Sequence, residues 1–193
     1  MGSLVYLRLI GFTAGTLLQL FWMVVILGYR RQRNFERVFF FLCLALFLFY
    51  SGSLLALNAQ IYYSVPPPLL QSSAITLLCA GLCLLPPLLI HLHLEFAETR
   101  ELIRNRSLKR VVLLAAYAPI VYFGLRVFPQ ILGAPGFDFL IPGNVLGRSY
   151  GAWLGIALLA SAVWEMRFTR VAPDRPQRQF HGTVAGLFLA PLS

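Results

Sequence analysis

The chain alternates between long apolar runs and short polar connections that carry most of its charge. Five runs have about the length that a helix needs to cross the hydrocarbon core of a bilayer, roughly 20 residues. These runs cover residues 9–28, 38–59, 70–94, 111–128 and 150–166. The pattern predicts one all-α domain over residues 1–193, a polytopic transmembrane helix bundle with five full spans.

Proline, and not charge, separates the second span from the third. No Asp, Glu, Lys or Arg occurs between residues 38 and 94, a stretch too long for one crossing. The prolines at 66–68 divide it, because proline lacks an N–H and restricts the residue before it. Further on, three Pro and four Gly predict a long loop over residues 129–149. Polar stretches at 95–110 and 167–178 predict two further connections.

The last apolar run, residues 182–193, has only 12 residues. As a helix it would extend about 18 Å, short of the roughly 30 Å hydrocarbon core. Two interpretations stay open: an interfacial tail, or a partial sixth span where the sequence stops within the crossing. We favour the partial sixth span.

Composition excludes a water-soluble domain and a disordered chain. Apolar residues make up 59% of the sequence and charged residues 12%, against about 25% charged residues in soluble domains. Disorder requires low hydrophobicity. The formal net charge of +9 is distributed in short clusters between spans, so nucleic acid is not an expected partner.

The basic residues predict the orientation. The connections after spans one, three and five hold four, five and four Lys or Arg. The N-terminus and the connections after spans two and four hold one, none and two, where Arg126 at the end of span four is counted with Arg148. Because the basic connections stay in the cytoplasm, we expect the N-terminus outside and a multi-pass location in a bacterial inner membrane.

The end of the third span carries the most unusual polar residues. Pro86 and Pro87 interrupt the backbone hydrogen bonds of a helix, and such breaks can line cavities. His91 and Glu95 are four residues apart and therefore share a helix face. They are candidates for a ligand or signal site, although we favour a structural role at the cytoplasmic end of the span. Two ligands are too few for a catalytic zinc site, and His181 is the only further candidate on that side.

Two further acids and two small-residue motifs are candidates for contacts. Glu165, near the inner end of span five, is expected to snorkel or to pair with Arg167. Asp138 is the only acid in the outer loops and a candidate ligand contact. The GxxxG motifs at 11–15 and 151–155 predict close helix packing.

No pattern predicts a cofactor, a metal or a catalytic centre. The three cysteines lie inside apolar runs without metal or redox spacing, where cysteine acts as a small hydrophobe. Nucleotide, zinc-protease and hydrolase motifs are absent from the sequence.

Taken together, the chain resembles the N-terminal seven-transmembrane sensor region of bacterial membrane histidine kinases and related signalling proteins. Three segments carry the resemblance: a basic loop entering a Phe-rich span at 33–41, the Pro- and His-containing segment 85–96, and the basic linker that ends at 178–180. The resemblance implies a two-component signalling role, in which the membrane region passes a small-molecule or membrane stimulus to a cytoplasmic output domain that this sequence lacks. It implies no catalytic residue here.

The expected partners are the lipid bilayer and a homodimer or larger membrane assembly. A membrane enzyme stays open from the sequence, with His91, Glu95 and His181 as its only plausible cluster, and so do two other functions. One is an accessory or structural subunit of a larger membrane complex. The other is a small transporter subunit, which the scarcity of polar residues within the spans disfavours.

Overall fold

The computed structural model describes residues 2–29, 32–103, 105–133 and 143–192. These residues form helices joined by short connections, which confirms the all-α prediction. The helices are α1 (Gly2–Leu27), α2 (Asn34–Tyr62), α3 (Pro68–Thr99), α4 (Arg106–Gly133), α5 (Val145–Val171) and α6 (Arg175–Leu189), followed by a 3-10 turn (Ala190–Leu192). Helices α1 to α5 are each long and apolar enough to cross a bilayer, as expected for a multi-pass membrane protein.

Several connections are shorter than the sequence predicted, because the helices continue past the apolar runs. The predicted loop 129–149 was wrong at both ends, since α4 continues to Gly133 and α5 begins at Val145. The side chain of Asn144 caps α5 by accepting a hydrogen bond from the Leu146 backbone N–H at 3.0 Å. Asp138, the candidate ligand contact of this loop, lies outside the described residues.

The connection between α3 and α4 was also predicted too long. Helix α3 continues to Thr99 and α4 begins at Arg106, inside the stretch 95–110. The Asn105 carboxamide accepts from the backbone N–H groups of Ser107 and Leu108 at 3.0 and 3.2 Å. It therefore satisfies donors that a helix start leaves unpaired.

Helix α6 occupies the region that was predicted as a basic linker and a short apolar run. It starts at Arg175, with Pro176 in its first turn, where the missing N–H costs nothing. Its 15 residues pack against α5 and bury His181 and Ala185. Whether residues 182–193 belong to a sixth span stays a prediction.

Helix α3 is the centre of the bundle. It packs against α2, α4 and α5, while α1 packs mainly on α2 and α6 on α5. An aromatic core joins α4 to α5 beside α3, with Phe123 and Trp153 stacked at 5.3 Å between ring centroids. The polar end of α3 is consequently surrounded by several helices.

Helices α2 and α3 approach most closely where glycine replaces a side chain. A Cβ atom added at Gly52 would lie 2.5 Å from the backbone nitrogen of Leu78, and one at Gly81 would lie 2.5 Å from the carbonyl oxygen of Ala45. Small residues recur every seventh position at this contact: Ala45, Gly52 and Ala59 on α2, and Ala74 and Gly81 on α3. Backbones packed this closely gain dispersion contacts that drive helix association in membranes.

The GxxxG motifs contribute less to this packing than expected. Gly15 lies under the ring of Tyr50, where an added Cβ would come within 2.9 Å of the ring carbons. Gly11 and Gly151 have no atom within 4 Å of such a Cβ. The prediction of close packing is therefore wrong for these two glycines.

Candidate functional site

Two polar networks begin at the last turns of α3, on different faces of the helix. His91 and His93 are two residues apart, so their side chains leave α3 about 200° apart. His91 faces the cleft between α2 and α4, and His93 faces α5 and α6. By the orientation that the basic residues predict, both networks lie at the cytoplasmic end of the bundle.

The His91 network joins α3 to α4. His91 Nε2 lies 3.2 Å from Glu95 Oε1, and its Nδ1 lies 3.1 Å from the Tyr117 hydroxyl. Lys109 Nζ donates to Glu95 Oε1 at 2.6 Å and also to the Glu98 carboxylate. The sequence predicted that His91 and Glu95 share a helix face, and the structure places them in contact.

These contacts fix the proton positions for a neutral His91. An ionised Glu95 only accepts hydrogen bonds, so His91 carries its proton on Nε2 and donates it to Glu95. The Nδ1 atom then accepts from the Tyr117 hydroxyl. Because Lys109 compensates the Glu95 charge, this buried carboxylate can be tolerated between the helices.

The second network centres on the carboxylate of Glu165 in α5. His93 Nε2 lies 3.2 Å from Glu165 Oε1, and His181 Nδ1 lies 2.6 Å from Oε2. The His93 Nδ1 atom lies 2.7 Å from the carbonyl oxygen of Leu89. We call these three side chains the His93–Glu165–His181 cluster. Their relative exposures are only 5%, 8% and 9%, so α3, α5 and α6 meet at one buried carboxylate.

Hydrogen-bond chemistry requires a proton in the contact between His93 and Glu165. The Leu89 carbonyl only accepts, so His93 Nδ1 carries a proton. A single proton then occupies the contact between His93 Nε2 and Glu165 Oε1. If that proton is bound to His93 Nε2, the contact is an imidazolium–carboxylate ion pair. If it is bound to Glu165, both side chains are neutral. Moving that proton changes the charges at the junction without breaking the hydrogen bond.

Aromatic side chains enclose the cluster and exclude water. The Phe168 ring stacks on His93 and lies 5.6 Å from His181 between centroids. Phe96 packs edge-on against Phe168 at 4.7 Å, and Phe188 covers His93 at 5.6 Å. In such a low-dielectric environment the hydrogen bonds strengthen, and the loss of a partner becomes more costly.

The expectation for Glu165 was therefore wrong. Its carboxylate contacts His93 and His181, while the Arg167 guanidinium lies 5.2 Å from the Trp164 ring centroid in a cation–π contact. The physical reason is helical geometry, because residues two apart on a helix face in different directions.

A cleft of about 540 Å³ lies between α2 and α4, across α3. Its polar end carries His91, Glu95 and Tyr117 with Asn34 and Arg37 from the start of α2. Its remaining lining is apolar: Val38, Phe41, Leu44, Leu84 and Leu88. Two of the predicted site residues, His91 and Glu95, thus line a cavity of ligand-binding size.

Pro86 and Pro87 are fully buried and do not line this cleft. Pro86 has no N–H to donate to the carbonyl of Leu82 one turn earlier. The Tyr150 hydroxyl from α5 donates to that carbonyl oxygen at 3.0 Å. The proline therefore creates a backbone acceptor that α5 uses to hold α3.

Within the described part of the chain, no group of three or more His, Cys, Asp or Glu side chains is placed to hold a metal ion. His181 joins Glu165 instead of completing a set with His91 and Glu95. Cys43, Cys79 and Cys83 are free thiols, buried or half-buried among apolar neighbours.

Sequence reasoning missed Lys109, Tyr117 and Tyr150 as partners of the third span. Lys109 stands out as the single lysine of the sequence. The tyrosines gave no periodic signal, because their partners are 26 and 68 residues away in the chain.

Comparison of the chain with protein-family models, curated proteins and solved structures found no match.

Proposed function

We propose that the chain is a sensory, signal-transducing region of a multi-pass membrane protein, one that passes a stimulus to a cytoplasmic output domain. The observation that supports it is the buried His93–Glu165–His181 cluster. Ionisable groups within membrane helices are costly and in general mark functional positions. The resemblance to histidine kinase sensor regions and a location in the bacterial inner membrane belong to the same proposal.

A switch requires an element with two arrangements, and in this proposal the His93–Glu165–His181 cluster is that element. With both histidines bonded to Glu165, α6 is held against α3 and α5. If either bond breaks, a buried polar group loses its partner, which favours a rearrangement that lets water reach it. A stimulus acts by binding one of these arrangements more tightly than the other.

Helix α6 is placed to carry the change out of the bundle. It follows α5 after a connection of three residues, 172–174, on the predicted cytoplasmic side. Its contacts are mainly with α5, so the His181–Glu165 bond is a principal polar restraint on its position. A shift of α3 relative to α5 would reach α6 through Glu165.

Spin-label distance measurements in lipid nanodiscs test this proposal. Labels are placed by Gln179→Cys on α6 and Leu108→Cys on α4, both exposed positions, in a background with the three natural cysteines replaced by alanine. The switch predicts two distance populations whose ratio changes with Glu165→Gln.

Glu98→Gln is the matched control, because Glu98 is an acid of α3 in the other network. It should leave the α6 populations unchanged. One narrow distance distribution that Glu165→Gln does not alter would overturn the proposal and favour a static accessory subunit.

A further inference from the structure

The cleft between α2 and α4 is separate from the His93–Glu165–His181 cluster and has its own chemistry. We infer that it binds one anionic phospholipid of the cytoplasmic leaflet, with the headgroup at Arg37 and an acyl chain along α2 and α3. The inference does not depend on the sensory function proposed above.

The charge at the polar end supports an anionic headgroup. Glu95 is engaged by His91 and Lys109, so its charge is compensated within the protein. Among the described residues, no carboxylate lies within ion-pair distance of the Arg37 guanidinium. Arg37 is therefore an unpaired cation at the cleft, and a phosphate is the group that a guanidinium binds best in two-point geometry.

A neighbouring donor extends this headgroup site. The Asn34 carboxamide, one turn before Arg37, has two N–H donors and lines the same polar end. The Tyr117 hydroxyl across the cleft donates to His91 instead. Arg37 and Asn34 of α2 thus offer donors at the polar end, whereas its only acid already has two partners.

The depth of these residues identifies a lipid of the bilayer as the occupant. Asn34 and Arg37 lie in the first turn of α2, directly before the uncharged run that begins at Val38. By the predicted orientation this is the cytoplasmic headgroup level. Phosphates of lipids lie at that level, and Arg near helix ends extends towards them.

The apolar part of the cleft continues from this level into the membrane. Phe41 and Leu44 line it one and two turns deeper on α2, and Leu88 and Leu84 line it on the neighbouring turns of α3. Phe41 is 53% exposed, so the cleft is open at the protein surface that faces lipid. A headgroup end followed by an apolar groove matches the shape of a phospholipid.

Native mass spectrometry of the full chain tests the inference. The protein is exchanged into nanodiscs of phosphatidylcholine and phosphatidylglycerol in equal parts, then released and weighed. We expect one retained phosphatidylglycerol per chain in preference to phosphatidylcholine. Arg37→Gln should weaken its retention about fivefold, the effect of one basic residue at an anionic lipid surface.

Two further variants distinguish headgroup binding at Arg37 from nonspecific attraction by positive charge, and test whether the apolar groove holds the acyl chain. Arg110→Gln removes a basic residue near the start of α4 that does not line the cleft, and it should leave retention unchanged. Leu44→Trp should block the acyl chain and reduce retention while Arg37 is intact. Circular dichroism of each variant establishes that the helices are still formed.

Three results would overturn the inference. They are equal retention of both lipids, an equal loss in Arg110→Gln and Arg37→Gln, or a retained mass that is a single-chain acid or another non-phospholipid molecule. The spin-label distances report on the His93–Glu165–His181 cluster and do not depend on lipid retention. A failure of lipid binding can therefore be distinguished from a failure of the sensory function.

Discussion

The hydrogen bond between Tyr150 and α3 can be tested by a double-mutant cycle with the proline that makes it necessary. Tyr150→Phe removes only the hydroxyl that donates to the Leu82 carbonyl oxygen at 3.0 Å. In the wild-type chain that carbonyl has no N–H partner one turn later, because residue 86 is proline. In the Pro86→Ala variant the backbone N–H of residue 86 can donate to the Leu82 carbonyl oxygen. That oxygen then no longer depends on the Tyr150 hydroxyl for a hydrogen bond.

The expected cost follows from burial and from the surrounding lipid. A buried acceptor that loses its partner costs about 1–3 kcal/mol, and interhelical side-chain bonds in membrane proteins average about 0.6 kcal/mol, with a maximum near 1.7. We therefore expect Tyr150→Phe to lower the free energy of unfolding by about 1–1.5 kcal/mol. In the Pro86→Ala background the same change should cost less than about 0.5 kcal/mol.

Equilibrium unfolding in mixed detergent micelles, followed by circular dichroism, measures all four corners of the cycle. Tyr122→Phe is the matched control, because Tyr122 is 44% exposed on α4 and its loss should change stability by less than about 0.5 kcal/mol. An equal cost of Tyr150→Phe with and without Pro86 would refute the reasoning, since the bond would then not compensate the proline.

Two further substitutions test the packing and the charged network. Gly52→Ala should destabilise the protein by about 1–3 kcal/mol, because the added Cβ would lie 2.5 Å from the backbone of α3. Gly11→Ala, at a position with open space, should be neutral or stabilising. Equal effects of the two substitutions on unfolding in micelles would contradict the close approach of α2 and α3. Lys109→Met should cost about 3–5 kcal/mol by leaving the Glu95 carboxylate without its cation. Adding Glu95→Gln should restore much of that loss, and no restoration in the same unfolding assay would contradict the pairing.

The helices could be predicted from sequence because the bilayer imposes a long apolar run on every crossing. Their ends could not, because backbone hydrogen bonds continue through polar residues once the helix leaves the hydrocarbon. Thus Thr99 and Val145 lie in helices although the local sequence is polar or rich in turn residues. The close approach of α2 and α3 at Gly52 and at Gly81 left a signal in the seven-residue spacing of small residues, which the search for GxxxG did not detect.

In the candidate site, too, contacts between residues close in sequence could be predicted, whereas contacts between distant residues could not. The contact of His91 with Glu95 follows from helical spacing alone. The contact of His93 with Glu165 joins residues 72 positions apart, and no periodicity in one chain shows which helices are neighbours. Glu165 and Arg167 are close in sequence, yet the carboxylate faces the bundle interior.

The central claim is that one carboxylate holds α6 to the rest of the bundle, and hydrogen–deuterium exchange of the backbone in nanodiscs tests it most directly. Hydrogen bonds to a charged group contribute about 1.5–3 kcal/mol, so Glu165→Gln should speed exchange in α6 and the last turns of α3 by roughly 10- to 100-fold. Glu98→Gln should leave α6 protected. If exchange in α6 is the same in wild type and Glu165→Gln, or rises equally in all helices, the carboxylate does not hold α6 and the claim is contradicted.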